Sequence, residues 1–232
     1  MTGPEAGWQI RSALLWSLST MRRNILGFGV LAALVTAVQL LQILSLRPLN
    51  EAISACAESA TPGQQAACAD SLSGGALLAA VLTLLFAFGA IVVGVGVVRA
   101  ALRATAGQEP GIDALVDGRN LGKFIAYQLV YSLAAGLGVL LCFFPGVIVI
   151  FFLQLGPFFV LDKGMKVGEA LVASVRAIRT NVPVALVLAA VNVSALLLGG
   201  VLYGVLTLIV LPFASLFTAY LYRQFNGEPV LG

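Results

Sequence analysis

Histidine is absent from the 232 residues, and charge is scarce: 10% of positions are Asp, Glu, Lys or Arg. The first absence removes the commonest acid–base catalyst and metal ligand. No G-x-x-x-x-G-K-[ST] phosphate loop is present, and the long apolar runs contain no carboxylate. Enzymatic chemistry therefore lacks its usual residues, and neither catalysis, a cofactor, a metal nor a nucleic-acid partner is expected. Ion-coupled transport is disfavoured too, because pumps and symporters place ionisable side chains within the bilayer. The nearest candidate, Asp162, falls at the edge of an apolar block beside Lys163. Ser17 and Ser174 have no base near them in sequence, so capping or packing suffices to explain both.

What the chain has is apolar surface: 60% hydrophobic residues and a mean hydropathy of +1.02. A soluble domain carries roughly a quarter charged residues, so the composition is that of an integral membrane protein. The apolar blocks are Ile25 to Leu46, Ala76 to Val98, Phe124 to Leu161 and Val182 to Tyr222. Each can cross a hydrocarbon layer of about 30 Å at about 1.5 Å per residue. The last two are too long for one crossing and must double back, with Phe143-Phe144-Pro145-Gly146 and Gly199-Gly200 as the turns. The expected architecture is all-α, a polytopic bundle of about six crossings in three hairpins, forming one membrane domain over 1–232. Four crossings with two re-entrant pieces is the alternative.

Six crossings put twelve of the thirteen basic residues on one side, leaving Arg47 alone on the other. By the positive-inside rule both termini face the cytoplasm and the 47–75 segment faces the periplasm or exterior. The first apolar run starts late and has no small-residue cleavage site, so the first crossing itself is expected to direct insertion. Only three basic residues are lysine (Lys123, Lys163, Lys166). This bias points to a GC-rich bacterium, and the expected location is the bacterial inner membrane.

Two segments repeat. Lys166 to Pro183, wound at about 100° per residue, places Val167, Leu171, Val175 and Ile178 on one side and Lys166, Glu169, Arg176 and Arg179 on the other. Shifted back by 157 positions it lies on Ile10 to Leu26, so that Ala13, Leu14, Ser17, Arg22 and Asn24 meet Ala170, Leu171, Ser174, Arg179 and Asn181. Amphipathic interfacial helices are expected over 7–24 and 166–181, each leading into an apolar crossing. In the first of them Trp8 and Trp16 are expected at headgroup level. A third copy would start at Gly111, where Ala114-Leu115-Val116 echoes Ala170-Leu171-Val172 before Gly118 interrupts it. Arg22, Arg23, Arg176 and Arg179 are the candidate contacts to anionic headgroups on the cytoplasmic side, or to a partner protein.

Within the crossings, Thr36, Gln39, Gln42 and Ser45 form one helical stripe. Gln128, Gln154 and Asn192 are further amides placed in hydrocarbon. Such groups need partners, and these five amides either bond between helices or line a path for an amphipath. Gly89, Gly94 and Gly96 read as close-packing positions. Pro157 and Pro212, each followed by Phe, are expected to kink the fourth and sixth crossings at comparable places. Tyr220 and Tyr222 are expected at the membrane interface. In the 47–75 segment, expected to be a polar outer loop, Cys56 and Cys68 read as a disulfide in an oxidising compartment. Zinc is the sharper alternative, but two thiolates without histidine do not complete a tetrahedral site. Cys142 reads as a small packing residue. Glu109, Asp113 and Asp117, set against Arg119 and Lys123, read as a solvated connector.

The run Gln154-x-x-Pro157-Phe158-Phe159-Val160-Leu161-Asp162-Lys163-Gly164, then Glu169-Ala170-Leu171-x-x-Ser174 and Asn181, resembles a broad group of bacterial six-helix membrane proteins of unknown function. That group is similar to the membrane domain fused to some glycerophosphodiester phosphodiesterases. The resemblance implies the six-helix fold for the C-terminal half and, through the repeat, for the N-terminal helix. It carries no catalytic residue across, since phosphodiesterase chemistry belongs to a separate soluble domain. The expected function is a non-catalytic membrane scaffold or accessory subunit of a cell-envelope complex, one that handles lipids. The alternative is an uncoupled carrier that moves a lipid or other amphipath between leaflets.

Overall fold

The structure, a computed structural model, describes residues 3–57, 73–111, 113–141, 143–200 and 206–231. The described helices are α1 (Gly3–Arg23), α2 (Ile25–Ala57), α3 (Ser73–Thr105), α4 (Asp113–Val116), α5 (Leu121–Leu141), α6 (Phe143–Leu153), α7 (Gly156–Lys163), α8 (Val167–Thr180), α9 (Val182–Gly200) and α10 (Thr207–Phe225). Six stretches are long and apolar enough to cross a membrane: Ile25–Ser54, Leu77–Thr105, Leu121–Leu141, Phe144–Lys163, Val182–Gly199 and Thr207–Phe225. The chain is an all-α, multi-pass membrane bundle.

A unit of one short helix and two crossings recurs three times, as α1–α2–α3, α4–α5–α6/α7 and α8–α9–α10. The short helices connect the units: α4 packs on α3, α8 on α7 and α6, and α1 on α10 and α9. Each therefore rests on the second crossing of the unit before it, with the first unit resting on the last, which closes a ring of three.

Burial follows the 157-residue offset closely. Ala13, Ala170, Ser17 and Ser174 are all fully buried, and so are Leu31 and Leu188 beyond the matched window. Asn24 and Asn181 make the same bonds: each Nδ2 donates to the carbonyl four residues back (Thr20, 3.1 Å; Ala177, 2.9 Å). Each carbonyl then accepts the N–H four residues on (Phe28, 3.1 Å; Ala185, 2.9 Å). This joint carries an interfacial helix into a crossing without orphaning the backbone groups where they meet. The middle copy is cut short: α4 ends before Gly118, although its Ala114 is as fully buried as Ala170.

The buried stripe of α8 is Ala170, Ser174, Ala177 and Ile178. It is rotated from the expected Val167, Leu171, Val175 and Ile178 face, because small side chains let the helix approach its neighbours closely. Of that face Ile178 is fully buried, while Val167 and Leu171 pack at the edge of the core. Val172 is left 59% exposed. In α1 likewise, Trp16 turns inward and packs on Tyr220 at 5.4 Å between ring centroids, while Trp8 stays exposed.

Other expectations need correction. Residues 47–57 and 73–75 are not loop but continue α2 and α3. Pro48 sits inside α2, where the Arg47–Glu51 ion pair (2.7 Å) spans it one turn apart. The first helix of this hairpin ends at Leu141, and Phe143–Gly146, expected as the turn, belong to α6. Gly146 lets α6 meet α5, since a Cβ on Gly138 would stand 2.8 Å from its Cα. Gly199 and Gly200 end α9. The two prolines act differently: the fourth crossing breaks at Gln154–Leu155 with Pro157 in the first turn of α7, whereas α10 continues through Pro212.

The core lies at the end of the bundle where the basic residues gather. There Val95–Thr105, Leu155–Leu161 and Ala214–Tyr222 converge, whereas at the other end Leu84, Leu140, Leu141 and Leu196 are all more than 70% exposed. The three hairpins are thus tightly packed at the basic end and spread apart beyond it.

Candidate functional site: an intramembrane cavity

Between the spread hairpins lies a cavity of about 1150 Å³, walled by Ile148, Phe151, Leu186, Val193 and Leu196 among others. All five amides singled out from the sequence line it: Gln39 and Gln42 from α2, Gln128 from α5, Gln154 from the break between α6 and α7, and Asn192 from α9. Two of them, Gln154 and Asn192, lie together at its floor with Thr218 of α10. Asn192 Nδ2 donates to Gln154 Oε1 (3.4 Å), and Thr218 Oγ1, whose proton goes to Ala214 O (2.7 Å), stands 3.3 Å from Asn192 Oδ1. Gln39 Oε1, Gln128 Oε1 and Gln154 Nε2 are buried without a hydrogen-bond partner. Such atoms are costly in an apolar interior. Thr36 of the same stripe is satisfied by Ala32 O (3.0 Å), and Ser45 is exposed.

The floor is shaped by the helix break. Ending α6 at Leu153 frees backbone groups, and side chains from other helices satisfy them. Tyr127 Oη donates to Leu153 O (2.7 Å), Ser174 Oγ donates to Phe152 O (2.8 Å), and Leu155 N donates to Ser174 Oγ (3.3 Å). The break is what turns Gln154 off the helical path and into the cavity lining. Among the described residues none that lines the cavity is charged.

The four candidate arginines stand elsewhere, exposed on the outward faces of the interfacial helices and at their ends. Arg176 and Arg179 border an apolar groove of about 420 Å³ along Leu171, Val172 and Val175. The guanidinium of Arg179 lies 5.9 Å from the Phe152 ring centroid. On α1 the equivalent face exposes Leu15 and Leu18 beside Arg11 and Arg22. Cys56 is buried on α2, while Cys68 and Cys142 lie outside the described residues. Among the described residues no His/Cys/Asp/Glu cluster could hold a metal ion.

A polar knot at the basic end was not anticipated. Arg223 grips Asp162 with both terminal nitrogens (3.0 and 3.1 Å), donates through Nε to Thr105 Oγ1 (3.2 Å) and pairs with Glu228. Tyr222, expected at the interface, is fully buried and donates to Asp162 Oδ2 (2.9 Å). Lys163 pairs with Glu228 (2.9 Å), and Leu231 N donates to Thr105 O (2.9 Å). The knot joins the second crossings of all three units to the C-terminal segment. The signal in the sequence was an acidic residue at the end of one crossing and an arginine at the end of another.

Nearby, buried Arg99 donates to the carbonyls of Asp117 and Arg119, anchoring the connector after α4. That connector is therefore fixed to the bundle rather than merely solvated. Asp117 is held below the usual carboxylate range, chiefly by the N–H of Arg119 and then by nearby arginines.

Burial alone would raise the Glu228 carboxyl, but hydrogen bonds and charge from Lys163 and Arg223 outweigh it and hold Glu228 below its usual range. A depressed folded value stabilises the fold fully above the ordinary glutamate range, and the contribution fades as pH falls through the folded value. The melting midpoint should therefore drop as pH falls below the ordinary glutamate range, and Glu228→Gln should flatten part of that drop. Identical profiles apart from a constant offset would show that Glu228 does not carry it.

No protein-family model and no solved structure matches the chain. It is similar to two uncharacterized proteins, Rv2560 of Mycobacterium tuberculosis and Mb2590 of Mycobacterium bovis, each 28% identical over 136 residues. The match covers 59% of this chain and 42% of each relative, so the aligned region is less than half of theirs.

Proposed function

We propose that the protein is a non-catalytic membrane protein that holds a lipid or similar amphipath in the cavity, as an uncoupled carrier between leaflets. The observation that carries this reading is the convergence of five amides, three with an unpartnered buried atom, on one cavity between apolar walls. A handful of polar groups in a mostly apolar concavity is the usual form of a ligand site. The reading extends to a bacterial inner membrane with the basic end in the cytoplasm, to a Cys56–Cys68 disulfide on the far side, and to kinship of the C-terminal half with the phosphodiesterase-fused membrane domains.

A second reading is an accessory subunit of a lipid-handling envelope complex. It is supported by the exposed arginine-edged apolar faces of α1 and α8. Both faces suit a leaflet rich in anionic headgroups, where each basic residue contributes about 1 kcal/mol. Neutralising Arg22, Arg23, Arg176 and Arg179 together should weaken association with anionic vesicles severalfold while leaving membrane insertion intact. Unchanged association would remove the headgroup contact.

Purification from native membranes in mild detergent, with mass spectrometry of bound lipids and proteins, separates the two readings. A carrier should come with one enriched lipid, and Ala189→Trp, which fills the cavity from α9, should lose that lipid without loss of folded protein. A stoichiometric protein partner and no enriched lipid would instead establish the accessory subunit.

A further inference from the structure

The cavity's chemistry also selects what can occupy it. Its polar lining consists of carboxamides and hydroxyls: Gln39, Gln42, Gln128, Gln154, Asn192 and Thr218 are its principal polar groups, and no Lys, Arg, Asp or Glu among the described residues borders it. A phosphate or carboxylate placed there would lose its water and gain no countercharge, a penalty that amides do not offset. The arginines that could neutralise such a head lie on the outward faces and ends of α1 and α8, outside the cavity. The lining amides add a second constraint. Each carboxamide presents both an N–H donor group and a carbonyl acceptor. A hydroxyl answers both, donating one bond and accepting others. The volume of about 1150 Å³ exceeds the roughly 300–1,000 Å³ of ordinary small-molecule sites and leaves room for hydrocarbon chains beside the head.

Resting on the proposed amphipath-binding role, we propose that this cavity is a site for a lipid with an uncharged, hydroxyl-bearing head, of the acylglycerol or glycosyl-lipid class. Gln128, Gln154 and Asn192 read the head, and the apolar walls of α6 and α9 hold the chains. The arginine-edged helices address the surrounding charged leaflet instead, so the two lipid contacts are separate in place and in chemistry.

The test uses the full chain in nanodiscs of neutral phosphatidylcholine and compares two probes with identical chains, dioleoylglycerol and dioleoylphosphatidate. Occupancy is read by native mass spectrometry, with Ala189→Trp as the cavity-blocked reference that reports lipid on the outer surface alone. The cavity-specific part should favour dioleoylglycerol by about tenfold or more, the least expected for an unpaired buried charge. It should fall severalfold in Gln128→Leu and in Gln154→Leu, each judged only where its melting midpoint shows a folded protein. Equal cavity-specific binding of both probes would overturn the uncharged-head inference and leave amphipath binding standing. Binding of either probe that Ala189→Trp leaves unchanged would overturn amphipath binding in the cavity itself.

Discussion

Replacing Arg223 with alanine should destabilise the folded bundle by about 3 kcal/mol, the range found when one partner of a mostly buried ion pair is removed. Both partners are more than four-fifths shielded, with side chains 16% and 19% exposed, so solvent screening takes little away. The loss is large because one guanidinium serves three elements: the Asp162 carboxylate at the end of α7, the Thr105 hydroxyl at the end of α3, and Glu228 beyond α10. Without it, Asp162 keeps Tyr222 Oη but has no positive charge against its two oxygens. For a chain of this size the melting midpoint should fall by roughly 6–12 °C. Arg223→Lys should recover less than half, since an ammonium cannot reproduce the two-pronged contact and the Nε bond together. Asp162→Asn should cost less than Arg223→Ala, because the amide oxygen still accepts from Tyr222 while Arg223 keeps Glu228. Thermal melts of the purified variants followed by size-exclusion recovery measure all three. A parental midpoint for Arg223→Ala would mean that the knot is an ornament of the surface rather than the joint of the three units.

The parts legible in the sequence are those that depend on local pattern. Six crossings follow from hydropathy and the distribution of arginine, and the interfacial repeat from a matched phase that ends at Asn24 and Asn181. The five amides were legible one at a time, because a carboxamide in hydrocarbon demands a partner wherever the helix lies. Their convergence was not legible, since it depends on how four crossings from three hairpins are rotated and how far they spread. The turned face of α8 escaped for a different reason: Ala170, Ser174 and Ala177 carry little hydrophobicity, yet their smallness decides which side approaches the bundle. The knot escaped because Asp162 and Arg223 lie far apart in the chain and each, taken alone, looks like an ordinary charge at a helix end. The same arrangement that hides the knot explains the shape of the cavity. Three second crossings are tied together at the basic end, and the hairpins can spread only at the other.

Gly156→Ala should damage both the fold and the cavity, and it is the smallest change that does so. A Cβ at this position would overlap the hydroxyl and the ring of Tyr127, a side chain with no exposed surface and so no free direction in which to move. Overpacking of this kind costs about 1–3 kcal/mol, and displacing Tyr127 also breaks its bond to Leu153 O, worth about 1 kcal/mol more. The Leu153 carbonyl is one of those freed where α6 ends, so its loss loosens the break that presents Gln154 to the cavity. Lipid occupancy should therefore fall along with the melting midpoint. Tyr127→Phe should not rescue the variant, because ring carbons as well as the hydroxyl stand where the methyl must go. Tyr127→Leu, which shortens the side chain, should make the double variant more stable than Gly156→Ala alone. That result, a favourable coupling between two single changes each of which destabilises, is the signature of a direct steric contact. If Gly156→Ala melts with the parent and binds lipid as the parent does, then the α5–α7 contact is not tight and the floor of the cavity is not set by the helix break.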